Sequence, residues 1–198
     1  MTGAAEPSAR ERWNERYRRV GAETFGRAPS DWLVQQRPRL EASSAGRALD
    51  VACGGGRNAL FLAEIGFEVD AVDVSDVAVE RLRAVAAQRE LSVNAVRADL
   101  EDAPFPHSTY QVIINFNVLL RSLFAPIQRA LAPGGLLVLE TWRQEPGRRR
   151  HALCADELLR AFTGLEILAH AERREGDEQL REAFVARKPG TAGMEIDE

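Results

Sequence analysis

Cysteine and histidine are scarce in this chain, with two of the first and three of the second. Cys53 and Cys154 lie far apart and form no Cys-x-x-Cys pair, which excludes a disulfide framework and suits a reducing compartment. His107, His151 and His170 have no metal-ligand spacing with each other or with the cysteines, so no metal is expected. No apolar run approaches the ~18–20 residues of a bilayer span, and the N-terminus lacks a charged-then-apolar leader. A cytoplasmic location without a membrane role is the expectation. Positive charge is not in surplus either: a net charge of −4 argues against coating nucleic-acid phosphates, and no basic groove or aromatic platform points to a nucleic-acid partner. Internal repeats and low-complexity tracts are absent. What remains is 198 residues, 45% hydrophobic and 28% charged, enough for one soluble α/β domain. Nothing in periodicity or charge gives the oligomeric state.

The chain is organised around residues 48–76. A short apolar run, Ala48 to Ala52, reads as a buried strand and empties into Gly54-Gly55-Gly56. The period then turns helical across Asn58 to Ile65, and Gly66 stops that helix. Phe67 to Val72 is a second strand closing on Asp73. Strand, glycine turn, helix, strand and acid make the first half of a nucleotide-binding α/β unit. Gly54 and Gly56 let a ligand lie against the main chain, and the next helix aims its free N–H groups there. Asp73 stands where an acid takes both ribose hydroxyls of an adenosine. Gly54-x-Gly56-x-x-Ala59 fits the dinucleotide fingerprint as well, so the glycines alone do not name the ligand.

Asp50 separates the two ligands. It sits four residues before Gly54, at the tip of the first strand, where it would repel a pyrophosphate by on the order of 1 kcal/mol or more. A ligand with an ammonium and a sulfonium would be attracted. Asp50 and Asp73 together suit S-adenosylmethionine, cationic at one end and a diol in the middle. The plainer reading is that Asp50 only hydrogen-bonds the turn.

Residues 1–7 read as a loose tail, residues 8–188 as the domain and residues 189–198 as a second tail. Ser8 caps a helix to about Arg19, with Glu11 completing a capping box and Trp13, Tyr17 and Val20 on one stripe. Gly21 to Pro29 is a loop holding Phe25 and Gly26; Ser30 starts a helix with Trp32, Leu33 and Leu40, disturbed by Pro38. This segment, 8–45, reads either as a lid over the sheet edge or as simple packing helices. Ser75 opens a helix to about Arg89 buried through Val77, Leu82, Val85 and Ala86, and Val93 to Arg97 is a strand. The Asp99–Pro106 loop has three carboxylates; Asp99 can accept from an exocyclic amine such as adenine N6, or the loop is merely solvated and capped. Tyr110 to Ile114 is a strand running into Asn115-Phe116-Asn117, Leu119 to Leu131 a helix with Pro126 at its start or kink, and Pro133-Gly134-Gly135 a tight turn. Leu136 to Glu140 is a strand and Asp156 to Phe162 a short helix. Leu165–Ala171 and Glu178–Ala186 read as strands joined near Gly176-Asp177. Strand–helix units followed by a hairpin give a mostly parallel sheet with an antiparallel strand at its end, where a nicotinamide-binding domain would close on a parallel strand.

Asp50-Val-Ala-Cys-Gly-Gly-Gly-Arg-Asn58, Ala71-Val-Asp73-Val-Ser75, Arg97-Ala-Asp99-Leu-Glu101 and Leu131-Ala-Pro-Gly-Gly-Leu-Leu-Val138 resemble the motifs of class I S-adenosylmethionine-dependent methyltransferases. Trp13-Asn-Glu-Arg-Tyr17, Pro29-Ser30 and Gly56-Arg57-Asn58 are similar to small bacterial enzymes of the tellurite-resistance and thiopurine type. The likeness covers about residues 11 to 188. It implies a Rossmann-like, seven-stranded, mostly parallel sheet with a C-terminal antiparallel hairpin and helices on both faces. It also implies S-adenosylmethionine as cofactor and S-adenosylhomocysteine as product. The cofactor contacts expected are Asp50, Gly54, Gly56, Asp73 and Asp99, with main-chain groups at Ala52, Cys53 and Leu100. Asn58, Val74, Asn115, Phe116, Trp13 and Tyr17 complete the set. Ala52 stands where the family often has glycine, a mild change in this reading. Val118-Leu119-Leu120 replaces the histidine or aromatic residue that several relatives carry after the fourth strand, so no catalytic base is carried over.

The acceptor is expected to be a small molecule entering between the N-terminal segment and the loops after strands four and five. Arg121, Trp142, Arg143 and the Arg148–Arg150 run would favour an anionic or aromatic one, with His151 as a possible base; the plainer reading of the run is a solvated loop. A thiol, thiolate, metalloid oxyanion or other soft nucleophile needs no base. Two alternatives stay open: an NAD(P)-binding oxidoreductase, and an S-adenosylmethionine-binding regulatory module without turnover.

Overall fold

The computed structural model describes residues 6–20, 28–43, 45–143, 152–174 and 180–190. Most of both expected tails, the Phe25-Gly26 loop, the Arg148–Arg150 run, His151 and the Gly176-Asp177 turn lie outside the described residues. A seven-stranded sheet runs in the order β3-β2-β1-β4-β5-β7-β6. Its strands are β1 (Arg47–Val51), β2 (Glu68–Asp73), β3 (Val93–Arg97), β4 (Tyr110–Phe116), β5 (Leu131–Trp142), β6 (Glu166–Arg173) and β7 (Arg181–Arg187). β1 to β5 are mutually parallel, and β7 pairs antiparallel with both β5 and β6. The Rossmann-like α/β architecture expected from the sequence is the observed one. One detail differs: the antiparallel strand, β7, is inserted between β5 and β6 instead of forming the edge.

The central strands form because their apolar runs are covered twice. β1 is buried at Ala48 through Val51, and β4 from Val112 through Phe116. On one face Leu62 and Phe61 of α4 (Arg57–Glu64) and Leu82 and Val79 of α5 (Asp76–Gln88) pack with Trp32, Leu33 and Leu40. Trp32 and Leu33 lie on α2 (Asp31–Gln35), and Leu40 on α3 (Arg37–Ala42). On the other, Ile127 of α6 (Phe124–Ala130) and Leu158 of α7 (Glu157–Ala161) pack with Phe162, Phe184 and Leu139.

Caps set several helix starts. In α1 (Ala9–Val20) the Ser8 and Glu11 groups bond reciprocally, Ser8 N–H to Glu11 Oε2 at 2.8 Å and Glu11 N–H to Ser8 Oγ at 3.2 Å, the expected capping box. Ser75 Oγ accepts from Ala78 N–H at 3.2 Å and opens α5. The helix disturbed by Pro38 is two helices, broken at Gln36 so that Pro38 falls in the first turn of α3, where its missing N–H has no intrahelical partner to lose.

Four local readings are corrected. Val20 is 46% exposed, because α1 turns Asn14 and Tyr17 inward and its last turn leaves the core. Within α5 the buried positions are Ala78, Val79, Leu82 and Ala86, with Val77 and Val85 only part-buried. The helix expected from Leu119 begins at Phe124 after a 3-10 turn at Arg121–Leu123, and β5 begins at Leu131 instead of Leu136. The Pro133-Gly134-Gly135 turn is absorbed as an irregularity: Tyr110 pairs Leu131, whereas Val112 already pairs Leu136.

Strands β2 and β3 lie on one side of β1, and β4 on the other, so the chain reverses direction across the sheet between β1 and β4. Loops leaving their carboxyl ends diverge there and open a crevice. Gly56, at φ +81°, turns β1 into α4, and a Cβ there would run into the fully buried side chain of Leu82. Gly56→Ala is therefore expected to destabilise the protein by about 2–3 kcal/mol, from left-handed strain plus displacement of Leu82, measured as a lowered urea midpoint at unchanged m-value.

Candidate functional site

A cleft of about 890 Å³ opens at the β1/β4 crevice, bounded by α1, the glycine turn after β1, the loops after β2, β3 and β4, and the end of β5. Its floor is the turn itself. Cys53 N–H donates to the Val72 carbonyl at 3.0 Å and Gly56 N–H to the Cys53 carbonyl at 2.9 Å, which folds residues 52–56 tightly under the opening. Gly54 has φ +53°, and a Cβ there would collide with the Tyr17 hydroxyl. Tyr17 of α1 thus lies directly over the bare main chain, 2% exposed, with its phenol pKa pushed up by burial and the nearby Asp73. Ala52 holds φ +58°, a left-handed conformation that glycine adopts freely and alanine does not. The alanine here is therefore strained, a correction to its reading as a mild change.

Two carboxylates meet beside this turn. Asp73 is 6% exposed, and its oxygens accept from Gly54 N–H and Ser75 N–H, both at 2.8 Å. Burial raises its pKa, while those amides oppose the rise. Each oxygen keeps a lone pair for a further donor. Asp50 is 2% exposed and less well provided: it takes a hydrogen bond from the Ala59 amide, but its Oδ2 is buried without a partner. Burial, then repulsion from Asp73, pushes its pKa up to about 8. An orphaned carboxylate oxygen on the wall of a cleft is the observation that fits a cationic ligand group, and an acid fixed on the rim of the same turn fits a diol.

Most sequence-selected residues converge here. Ala52, Cys53, Gly54 and Asn58 line the cleft from the turn and the start of α4, and Asp50 lines it from β1. Asp73 and Val74 line it from β2, and Asp99 and Leu100 from the loop after β3. Phe116 closes it from β4, and Trp13 and Tyr17 cover it from α1. Gly56 shapes the turn without forming part of the wall. Asn115 is not part of the cleft lining either; it is 1% exposed, with an unpartnered Oδ1, and pairs with Val51 and Leu139 on the neighbouring strands.

The expected acceptor residues divide. Trp142 lines the cleft. Arg121 lies outside it, its Nη2 donating to Glu157 Oε2 at 2.9 Å and to the Ala152 carbonyl at 3.2 Å, so it fastens α7 to the loop before it. Arg143 pairs with Glu172 across the strand ends, also outside the wall. His151 lies outside the described residues. In their place the cleft is walled by Arg57, Asn117 and the run Val118-Leu119-Leu120, none of which was selected. Arg57 carried a usable signal, since it follows the glycine turn directly. Asn117 carried a weaker one, since asparagine tolerates the φ of +61° that it adopts at the end of β4.

Among the described residues no helix is long and apolar enough to cross a membrane, and no group of three His, Cys, Asp or Glu residues is placed to hold a metal.

Residues 48–135 match a family model described as "Methyltransferase domain". The chain is 31% identical over 94 residues to an uncharacterized methyltransferase of Bacillus subtilis, YodH, over 46% of this chain and 40% of that protein. Among solved structures it is similar to TehB from Haemophilus influenzae, with TM-score 0.70 and 19% identity over 78% of this chain and 62% of TehB. It is also similar to geranyl diphosphate C-methyltransferase from Streptomyces coelicolor A3(2), solved with Mg2+, geranyl diphosphate and S-adenosylhomocysteine, with TM-score 0.64 and 18% identity over 78% and 77% of the two chains. At such identities the structures speak to the fold. The chain spans between 40% and 54% of the length of the first curated relatives it matches. Residues 48–135, under half of the chain, are thus similar to a methyltransferase domain, and the fold agrees with the sequence reading.

Two consequences are measurable. Asp50 holds its proton to about pH 8 in the folded protein but only to about 4 when unfolded, so the folded state binds the extra proton between those values and stability falls as pH rises through that window. Asp50→Asn should remove this slope and raise Tm at pH 8, read from melts across pH 4–9. Ala52→Gly should relieve left-handed strain and raise stability by about 1 kcal/mol, read from urea unfolding.

Proposed function

We propose, from the likeness of residues 48–135 to a methyltransferase domain, that this chain transfers the methyl group of S-adenosylmethionine to a small-molecule acceptor. The observation that supports it most is the unpartnered, buried carboxylate oxygen of Asp50 beside the glycine turn, with the Asp73 carboxylate on the next strand. A cationic group is favoured because it can ionise Asp50 and pair with it, whereas a diphosphate meets the Asp73 carboxylate and gains nothing from a protonated Asp50, which speaks against the nicotinamide alternative.

In this reading the roles follow from placement. Asp50 faces the cationic methionine end, and forming that contact draws its proton off. Asp73, held by the Gly54 and Ser75 amides, accepts from the ribose hydroxyls. Asp99 accepts from the adenine amine, and Leu100, Val74 and Phe116 give apolar contact to the base. Peptide groups at Ala52, Cys53 and Gly54 border the ligand because the turn carries no side chain there. Trp13 and Tyr17 of the N-terminal segment exclude water from above. When bound, the cofactor supplies a methyl group on a sulfonium leaving group, so what the protein adds is chiefly alignment and exclusion of water.

The acceptor enters beside Phe116, Asn117, the 118–120 run and Trp142. No histidine lines this cleft among the described residues, and Val118-Leu119-Leu120 contributes only apolar side chains. An acceptor that needs no base, such as a thiol or a metalloid oxyanion, suits these walls better than an amine or alcohol. The tellurite-resistance and thiopurine types belong to this class of chemistry, and the fold likeness to TehB is compatible with it.

Titration calorimetry should show S-adenosylmethionine and S-adenosylhomocysteine binding while NADH does not, with Asp50→Ala weakening S-adenosylmethionine about tenfold or more. A labelled-methyl screen over thiols, metalloid oxyanions, phenols and amines should find turnover among the soft acceptors. NADH binding without S-adenosylmethionine binding would overturn the proposal; tight S-adenosylmethionine binding without turnover on any acceptor would make the chain a regulatory module instead.

A further inference from the structure

Arg57 brings a positive charge to the cleft wall, and Arg181, from a distant part of the chain, lies close to it. Arg57, the first residue of α4, is half-buried on the cleft wall. Its guanidinium donates to the Ala28 carbonyl at 3.2 Å, and among the described residues it forms no ion pair. Behind the same wall Arg181, the first residue of β7, donates through Nη1 to Asn117 Oδ1 at 2.7 Å and to Glu140 Oε1 at 3.4 Å. Arg181 also lies over the ring of Trp142, 5.9 Å from its centre. Asn117 and Trp142 both face the cleft, so Arg181 is one side chain removed from it. Burial, and then Arg181 itself, push the Arg57 pKa down, against the pull of Asp50, Glu140 and Asp31.

Glu140 does not answer Arg57. It is 5% exposed and engaged elsewhere, taking Arg173 Nη1 at 3.0 Å, Arg181 at 3.4 Å and Ser30 Oγ at 3.4 Å. A half-buried guanidinium next to a second arginine carries a desolvation cost that an incoming anion offsets. The planar fork of Arg57 suits a carboxylate or a similar oxyanion, and the aromatic face of Trp142 lies on the same wall.

We propose that Arg57, backed by Arg181, seats an anionic group of the methyl acceptor, so that the preferred substrates are small, soft nucleophiles carrying a carboxylate or comparable oxyanion. This rests on the methyl-transfer reading above. The same chemistry could come from the cofactor's own carboxylate, and placement argues for the acceptor. Asp73, Val74 and Asp99 stand on the β2/β3 side, whereas Asn117 and Trp142 stand at the ends of β4 and β5 beside the apolar 118–120 run, and Arg57, on the helix after β1, is tied to that second group through Arg181 and Glu140.

The test uses acid and amide partners of one scaffold, 3-mercaptobenzoate with 3-mercaptobenzamide and 3-mercaptopropionate with its amide. Each is titrated calorimetrically into protein saturated with S-adenosylhomocysteine and, in separate reactions supplied with S-adenosylmethionine, assayed for methyl transfer. The wild type should bind at least one acid about tenfold more tightly than its amide. Arg57→Ala should erase that preference while leaving the amide and S-adenosylhomocysteine affinities within about twofold, and Arg57→Lys should restore part of it. Equal binding of every acid and amide by the wild type overturns the inference. So does an Arg57→Ala protein that loses S-adenosylhomocysteine affinity and treats acid and amide alike, which would assign the arginine to the cofactor carboxylate. Failure of the unaltered protein to bind S-adenosylhomocysteine at all is a different result and strikes the methyl-transfer reading itself.

Discussion

Two carboxylates buried within one turn of each other are the constraint from which the rest of this cleft is built. Asp50 and Asp73 end neighbouring parallel strands, with Asp50 opposite Ala71 and Val51 opposite Val72, so the sheet itself holds the acids together. Asp73 is made tolerable by the amides of Gly54 and Ser75, one from the glycine turn and one from the cap of α5. Asp50 is left short of a partner. An arrangement that only had to be stable would neutralise or remove one of them; keeping both costs stability.

The N-terminal helix is fastened to the same place. Asn14, 7% exposed, donates to Asp76 Oδ2 at 2.9 Å and accepts from Ser75 Oγ at 2.7 Å and from Val77 N–H at 3.3 Å. Arg10 pairs with Asp76 at 2.7 Å, and Arg81 donates to the Tyr17 carbonyl at 2.7 Å. α1 therefore docks on the first turn of α5, which begins three residues after Asp73. The element covering the cleft and the acid on its rim share one anchor, so displacement of α1 disturbs the hydrogen bonds around Ser75 as well as the position of Tyr17.

Much of this was legible in the residues. The capping box at Ser8, the strand of residues 93–97, the glycine turn and the two acids follow from local rules: which side chains cap, which runs alternate, where the chain needs positive φ. Those rules fail where a residue's fate depends on a distant strand. Arg121 and Arg143 looked like substrate arginines because they follow β4 and β5, yet Glu157 and Glu172, brought by later elements, bind them. Arg181 looked like an ordinary strand residue, and only the insertion of β7 beside β5 sets it next to Asn117 and Trp142. Glycine-rich Pro133–Gly135 read as a break between elements because the local turn signal is strong, whereas pairing with Tyr110 keeps the strand continuous.

The position of β7 also orders the assembly of the molecule. Because it separates β5 from β6, the penultimate strand has no edge to join until residues 181–187 are available. A chain emerging from the ribosome can complete β1 to β5, with the glycine turn and both acids, well before that. The β1–β3 side of the cleft is thus built from residues synthesised before the wall backed by Arg181, so a chain that ended before residue 181 would lack that wall's support.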